Sequence, residues 1–463
     1  MTSPAPTRRR TTPPEPGPIR PFHLPELEAH RLDSGLEVRS MARSEIPLVS
    51  VCLIVDAGET TVLPEQAGLA VLTGDALSGG TEERSGAELA EALEGLGTNL
   101  RVSTGWDATT LSVTCVAERL DATLELLAEV VRRPSFPDAE VERVRRQRLA
   151  AIRQRAMDPG HLASDELDRT LYPPEHPCHR PLSGRPESLA TMDRSRPVEF
   201  VRTRYRPEGA GFVVVGDLSG ADVLERARDR FGDWEGSAAP RPELPEVSLP
   251  DPRPVVLVHR EGAVQSEIRI GHPGPARGSE LENALEVGNT VLGGAFTSRL
   301  NLNLREKHGF TYGVRSRFER RRGGGTFSIS TAVETGSTAR ALEEAVNEFR
   351  RFVTDGPTTD EVEQARDYLA GIFPLRMETA PQLASRLAEI LIFELPDDYH
   401  LRYRERVRAV TAQGVRDAMQ TTLDPERAPI VVTGDADALR DELEALALGP
   451  VEVRQAEVAG EDR

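Results

Sequence analysis

Two periods run through the chain. Asn99-Leu-Arg-Val-Ser-Thr104 and Ala108-Thr-Thr-Leu-Ser-Val-Thr-Cys-Val-Ala117 alternate apolar and polar residues, which predicts an antiparallel pair of strands. Gly35-Leu-Glu-Val-Arg-Ser-Met41 and the apolar run Val49 to Val55 predict two neighbouring strands upstream. Between these runs the spacing turns helical. Ser85-Gly-Ala-Glu-Leu-Ala-Glu-Ala-Leu-Glu94 has a capping residue, Ser85, followed three positions later by Glu88, and Leu120 to Arg132 is amphipathic. Strands and helices interleave without the regular rhythm of a parallel sheet, so the expected class is α+β.

The pattern then repeats at an offset of about 217 to 221 residues. Phe212-Val-Val-Val-Gly-Asp217 returns as Ile430-Val-Val-Thr-Gly-Asp435, and Val49 to Gly58 as Ser266 to Gly274. Pro137-Asp-Ala-Glu-Val-Glu142 returns as Pro357-Thr-Thr-Asp-Glu-Val-Glu363, each opening a helix. The expectation is an internal duplication: two homologous α/β-sandwich-like domains, each a mainly antiparallel sheet with helices packed on it. Their predicted spans are 21–235 and 253–450, joined by the Pro-rich linker 236–252. Residues 1–20, rich in Pro and Arg, read as a disordered tail, and 451–463 as a polar tail.

Composition narrows the function classes. The chain has 463 residues and a net charge of −18, which argues against nucleic acid and anionic membrane as partners. No apolar run approaches the 18 residues of a membrane span. The N-terminus has no apolar segment of the signal-peptide kind, and the three cysteines, Cys52, Cys115 and Cys178, form no paired motif. A cytoplasmic protein without structural disulfides is expected.

Candidate chemistry is sparse. Glu175-His-Pro-Cys-His179 offers several metal-type ligands, but Pro174 and Pro177 exclude helical His-x-x-His geometry, so a surface loop is expected. His161, His259, His272, His308 and His400 have no partners at ligand spacing. Gly323-Gly-Gly325, set among arginines, reads as a hairpin turn rather than a phosphate loop. No Ser/His/Asp or Cys/His set stands in a recognisable motif. Leu292-Gly-Gly-Ala-Phe-Thr-Ser-Arg-Leu300 leads into Leu304-Arg-Glu-Lys-His-Gly-Phe-Thr-Tyr-Gly-Val314. There Arg305 sits near the end of a predicted helix that Gly309 terminates, and Tyr312 opens the next strand. A guanidinium fork and a phenol at one corner can hydrogen-bond a peptide carbonyl. The structural alternative is that Arg305 complements the helix end and Tyr312 is a half-buried strand aromatic.

From about Arg31 to about Leu448 these segments, in this order, resemble the pitrilysin / mitochondrial processing peptidase family. His176-Pro-Cys-His-Arg-Pro-Leu-Ser-Gly-Arg-Pro-Glu-Ser-Leu189 and Tyr205-Arg-Pro-Glu-Gly-Ala-Gly-Phe-Val-Val-Val-Gly-Asp217 carry the likeness, as does Gln66-Ala-Gly-Leu-Ala-Val-Leu-Thr-Gly-Asp-Ala-Leu-Ser-Gly-Gly-Thr81. In active members the last segment holds an inverted zinc motif, His-x-x-Glu-His, with two ligands one helical turn apart and a general base before the second. Here the five positions read Val71, Leu72, Thr73, Gly74 and Asp75. The family's later glutamates, one of them the third zinc ligand, fall on Val144 and Ala151, while Glu140 and Glu142 match acids at the helix start. The resemblance therefore implies no zinc in this chain. It also implies that Arg305 and Tyr312 match the family's substrate-binding Arg/Tyr pair, seven residues apart. Bacterial relatives divide these parts between two chains. A homologous zinc-bearing partner and a peptide substrate are thus expected, the alternative being an inactive scaffold of a larger complex.

Overall fold

The computed structural model describes Gly17 and residues 22–456. The expected tail 1–20 lies outside the described residues apart from Gly17, as do residues 457–463. The first half forms a six-stranded sheet from β1 (Leu27–Arg31), β2 (Glu37–Ala42), β3 (Leu48–Val55), β4 (Arg101–Thr104), β5 (Thr109–Val116) and β6 (Gly211–Gly216). The second half forms another from β7 (Val255–His259), β8 (Gln265–Gly274), β9 (Val314–Glu319), β10 (Gly325–Glu334), β11 (Ile430–Gly434) and β12 (Val451–Gln455).

The spatial orders are β1-β2-β6-β3-β5-β4 and β12-β7-β11-β8-β10-β9. Only β2–β6 pairs in parallel in the first sheet; β7–β11 and β7–β12 do in the second. The repeated Gly-Asp segments become β6 and β11, each inside its sheet. The repeated Pro-acid segments open the helices Asp138–Ala156 and Thr359–Ile372. The α+β duplication is observed. The capping box at Ser85 and Glu88 is formed as the spacing predicts.

One correction falls at the C-terminus. Residues 451–455, expected within a polar tail, form the edge strand β12, because Val451 to Gln455 complete the ladder of β7. The first half edges its equivalent strand, β2, with the hairpin partner β1 instead. The linker holds no helix or strand, yet it is tied down: Arg241 pairs with Asp56 and with Glu394, each at 2.7 Å.

The halves exchange helices. Pro159–Leu171, from the first half, lies on β8 and β11 of the second sheet, where Ala163, Leu167 and Leu171 join Val256, Val258 and Val431 in one apolar cluster. Ala380–Ile392, from the second half, lies on β3 and β6 of the first sheet. Its Leu383, Leu387 and Ile390 share a core with Met41, Cys52, Ile54, Val213 and Val215. Each contact needs a bare backbone. A Cβ on Gly271 would lie 2.5 Å from Leu167, and one on Gly211 2.4 Å from Leu391.

The β9–β10 turn, predicted as a hairpin at Gly323 to Gly325, locks this exchange through two consecutive arginines, Arg321 and Arg322. Arg322 donates to Asp56 at 2.9 Å and to the Ile392 carbonyl at 2.6 Å. Its backbone N–H donates to Asp107 at 3.2 Å. Arg321 is buried between the rings of Trp106 and Tyr172 and donates to the Tyr172 hydroxyl at 3.1 Å. The His176 loop, expected at the surface, packs here instead. His176 and Cys178 are buried, and His176 stacks on Tyr172 at 4.5 Å. Truncating Arg322 to Ala strands Asp56 beside a single remaining arginine. It is expected to cost about 2–4 kcal/mol in urea unfolding, with Arg322→Lys recovering only part of the loss.

Candidate functional site

The helix that would carry the inverted zinc motif is short, Leu69–Ala76, and buried on nearly all sides. It begins at Gly68 in the left-handed region, φ +94°, with no capping side chain of its own. Glu59 supplies the cap from outside the local sequence. Its buried carboxylate accepts from the Gly68 N–H at 2.5 Å and the Ala70 N–H at 3.2 Å. Burial pushes this carboxyl up to about 7, against the pull of those N–H groups and of Arg180 nearby. Sequence reading missed Glu59, since no local spacing links a carboxylate to a helix start nine residues on.

Of the five positions singled out in the sequence, Val71, Gly74, Asp75 and Val144 are taken up in structural contacts. Val71 is buried. Gly74 faces β4, and a Cβ there would lie 2.3 Å from the Thr104 hydroxyl, so no glutamate enters without displacing it. Asp75 is ion-paired with Arg148 of the helix Asp138–Ala156. On that helix Val144 is buried in the core and Ala151 is exposed. Arg148 stands four residues after Val144 and three before Ala151, on the same helical face as both. A guanidinium and a carboxylate thus join the helix Leu69–Ala76 to the helix Asp138–Ala156. Among the described residues no group of three or more His, Cys, Asp or Glu is placed to hold a metal. A valine, a glycine and an aspartate already paired with an arginine do not fit zinc.

The second-half motif is built on uncommon backbone. Thr290–Gly294 and Asn301–Lys307 both wind as π-helical turns, a geometry often found at functional sites. Gly309, at φ +66°, ends the second, as the sequence predicts. Most of the motif is spent on anchoring. A Cβ on Gly293 would meet the Ser316 backbone at 2.6 Å. Buried Asn301 donates to the carbonyls of Ala295 (3.2 Å) and Val314 (2.9 Å) and accepts from the Val314 N–H (3.2 Å). Arg299 grips Glu361 with two bonds of 2.6 and 2.7 Å. Burial opposes the charge on Glu361, but Arg299 and the Thr358 cap prevail and hold it down at about 2.

Three side chains have no such anchoring role. Tyr312 is 99% exposed, two residues ahead of β9. It is therefore neither the opening residue of the strand nor a half-buried aromatic. Phe296 is 71% exposed, and the Arg305 guanidinium stacks on its ring, 3.8 Å from the centroid. Arg305 also reaches Glu306 at 3.1 Å, while its Nη1 is buried without a hydrogen-bond partner. No direct contact joins Arg305 to Tyr312; they stand at the two ends of one short segment.

Residues 38–182 match the family described as insulinase (peptidase family M16), and residues 192–369 match the peptidase M16 inactive domain. The chain belongs to the M16 peptidase family. It is 27% identical to an uncharacterised zinc protease of Mycobacterium leprae, over 77% of this chain and 80% of that one. It is 24% identical to a non-peptidase homologue of Helicobacter pylori, over 80% and 85%. The crystal structure of a peptidase M16 inactive domain from Pseudomonas fluorescens superposes with a TM-score of 0.83 at 25% identity, covering 89% of this chain and 98% of that one. Among the described residues no helix is long and apolar enough to cross a membrane.

Two outcomes are expected. With a folded pKa near 7 against an ordinary 4.5, Glu59 contributes stability fully below about 4.5 and loses it as pH rises through 7. In Glu59→Gln, unfolding free energy measured between those pH values will fall less steeply, though overall stability drops with the weakened cap. Asp168, raised to about 7 mainly by burial, leaves a residual slope. Second, the triple variant Val71→His, Gly74→Glu, Asp75→His will melt lower than the parent and bind no stoichiometric zinc by atomic absorption.

Proposed function

We propose that this chain is the zinc-less subunit of a two-chain M16 metallopeptidase, holding peptide substrate against a homologous partner that carries the zinc motif. One contrast carries the reading. Val71, Gly74, Asp75 and Val144 have become structural contacts, while the second-half motif keeps Tyr312 and Phe296 exposed and stacks a half-buried Arg305 on the Phe296 ring. A guanidinium stacked on an aromatic ring is oriented, and its fork can donate to an extended peptide's carbonyl; the phenol of Tyr312 offers a second donor. The chain alone is proposed to have no peptidase activity, in line with the non-peptidase name of the Helicobacter relative. Zinc chemistry belongs to the partner. The three free, buried cysteines fit a reducing compartment, and the pair is proposed to be cytoplasmic.

A second reading, an inactive scaffold within a larger complex, draws on the same rebuilt helices. It gives no reason for an aromatic exposed as fully as Tyr312. In the reconstituted pair, Arg305→Ala combined with Tyr312→Phe should lower peptide turnover on the order of a hundredfold. Because both side chains lie outside the core, the variant should keep the parent's melting temperature and its affinity for the partner. Unchanged turnover would remove the substrate-binding role.

A further inference from the structure

Beside the tip of the arginine hairpin lies a cavity of about 310 Å³, remote in sequence from the zinc-motif helices and absent from the Arg305 motif. Its walls are aromatic: Phe318, Phe373, Phe393, Tyr399 and Tyr403, with Phe373 and Tyr403 stacked at 4.7 Å. Around them stand four arginines, Arg277, Arg320, Arg376 and Arg386, against two glutamates, Glu286 and Glu389. Burial holds the lining His400 down at about 4, so it adds no charge at neutral pH.

The charges do not close. Glu389 is shared between Arg277 at 3.0 Å and Arg386 at 2.5 Å. Glu286 accepts the Tyr403 hydroxyl at 2.9 Å. Arg320 lies 3.6 Å from Glu282, a buried carboxylate already paired with Arg277, and the Arg320 Nε–H is buried without an acceptor. Arg376 is exposed at the rim, and among the described residues no carboxylate stands at ion-pair distance from it. Burial lowers the Arg320 guanidinium below its ordinary value, with Glu286 opposing and Arg277 adding to the effect. In a chain of net charge −18, an aromatic cleft with surplus arginine is a locally positive site.

We propose that this cavity binds a small anion carried on a flat apolar group, an aryl carboxylate or aryl phosphate. The volume suits a single ring with its substituent, the aromatic walls take the ring, and the under-neutralised Arg320 and Arg376 take the anion. Arg386 and Glu389 belong to the exchanged helix and Arg320 to the inter-half hairpin, so an occupant touches both elements that tie the halves together.

Isothermal titration of the full chain with phenyl phosphate, benzoate, inorganic phosphate and benzyl alcohol tests this without a partner chain. Saturable 1:1 binding of at least one aryl anion is expected, with Kd on the order of 0.1 mM. Phenyl phosphate alone would assign the anion as phosphate; benzoate alone, as carboxylate. Inorganic phosphate and benzyl alcohol should each bind roughly tenfold more weakly or worse. Arg376→Ala, an exposed change that leaves the urea midpoint in place, should weaken the aryl anion roughly tenfold, and Arg320→Gln likewise. No saturable binding of either aryl anion up to about 10 mM, inorganic phosphate binding as tightly, or undiminished binding in Arg376→Ala would overturn it.

Discussion

The exchange of helices between the two halves is the constraint on which the rest depends. Neither sheet covers its own face at the exchange site. The first borrows Ala380–Ile392 and the second borrows Pro159–Leu171, each seated over a glycine that lets the helix come close. Burying leucines at such a seam contributes on the order of 2 kcal/mol per side chain, so separating the halves would expose two apolar faces at once. The arginine hairpin adds direction to this apolar contact. From the β9–β10 tip, Arg321 reaches Tyr172 of the other half, and Arg322 reaches Asp56 and Asp107. The duplicated chain therefore behaves as one body, and its exposed motif is presented from a fixed frame.

Within that frame the two halves have taken opposite courses. In the first, the helices Leu69–Ala76 and Asp138–Ala156 are joined by Asp75 and Arg148, and Thr104 closes the space beside Gly74. In the second, Gly293, Arg299 and Asn301 anchor two π-helical turns and leave Phe296, Arg305 and Tyr312 outward. Loss of function alone gives no reason for the second course. A rigid base under exposed donors is the arrangement expected where something must be held in register.

Much of the fold was legible because its signals are local or repeated. Strand alternation, the Ser85 capping box and the Gly-Asp repeat each depend on nearby residues, and both halves had to bury equivalent faces. The exchanged helices were not legible: amphipathicity tells that a helix needs a sheet, not which one. The same holds for Glu59, whose role is created by a contact nine residues away, and for Arg148, which reads as one more charge on a polar helix. The His176 loop looked like surface because its composition is polar. It is buried because Arg321, from the other half, brings Tyr172 and its neighbours inside. At the candidate site, the Arg305 helix end and its Gly309 stop were readable from the sequence. The π-helical winding and the two-residue offset of Tyr312 from its strand were not, since the Asn301 bonds to Val314 that fix where the strand begins span thirteen residues.

This chain is proposed to complete a metallopeptidase that it cannot form alone. The most direct test is to isolate the tagged protein from its own cells and assay the eluate for a second chain, zinc and peptide hydrolysis. A stoichiometric homologue bearing His-x-x-Glu-His is expected, with zinc in that chain and hydrolysis only when both are present. A protein recovered without such a partner, zinc or activity, or one that hydrolyses peptides by itself, would contradict it.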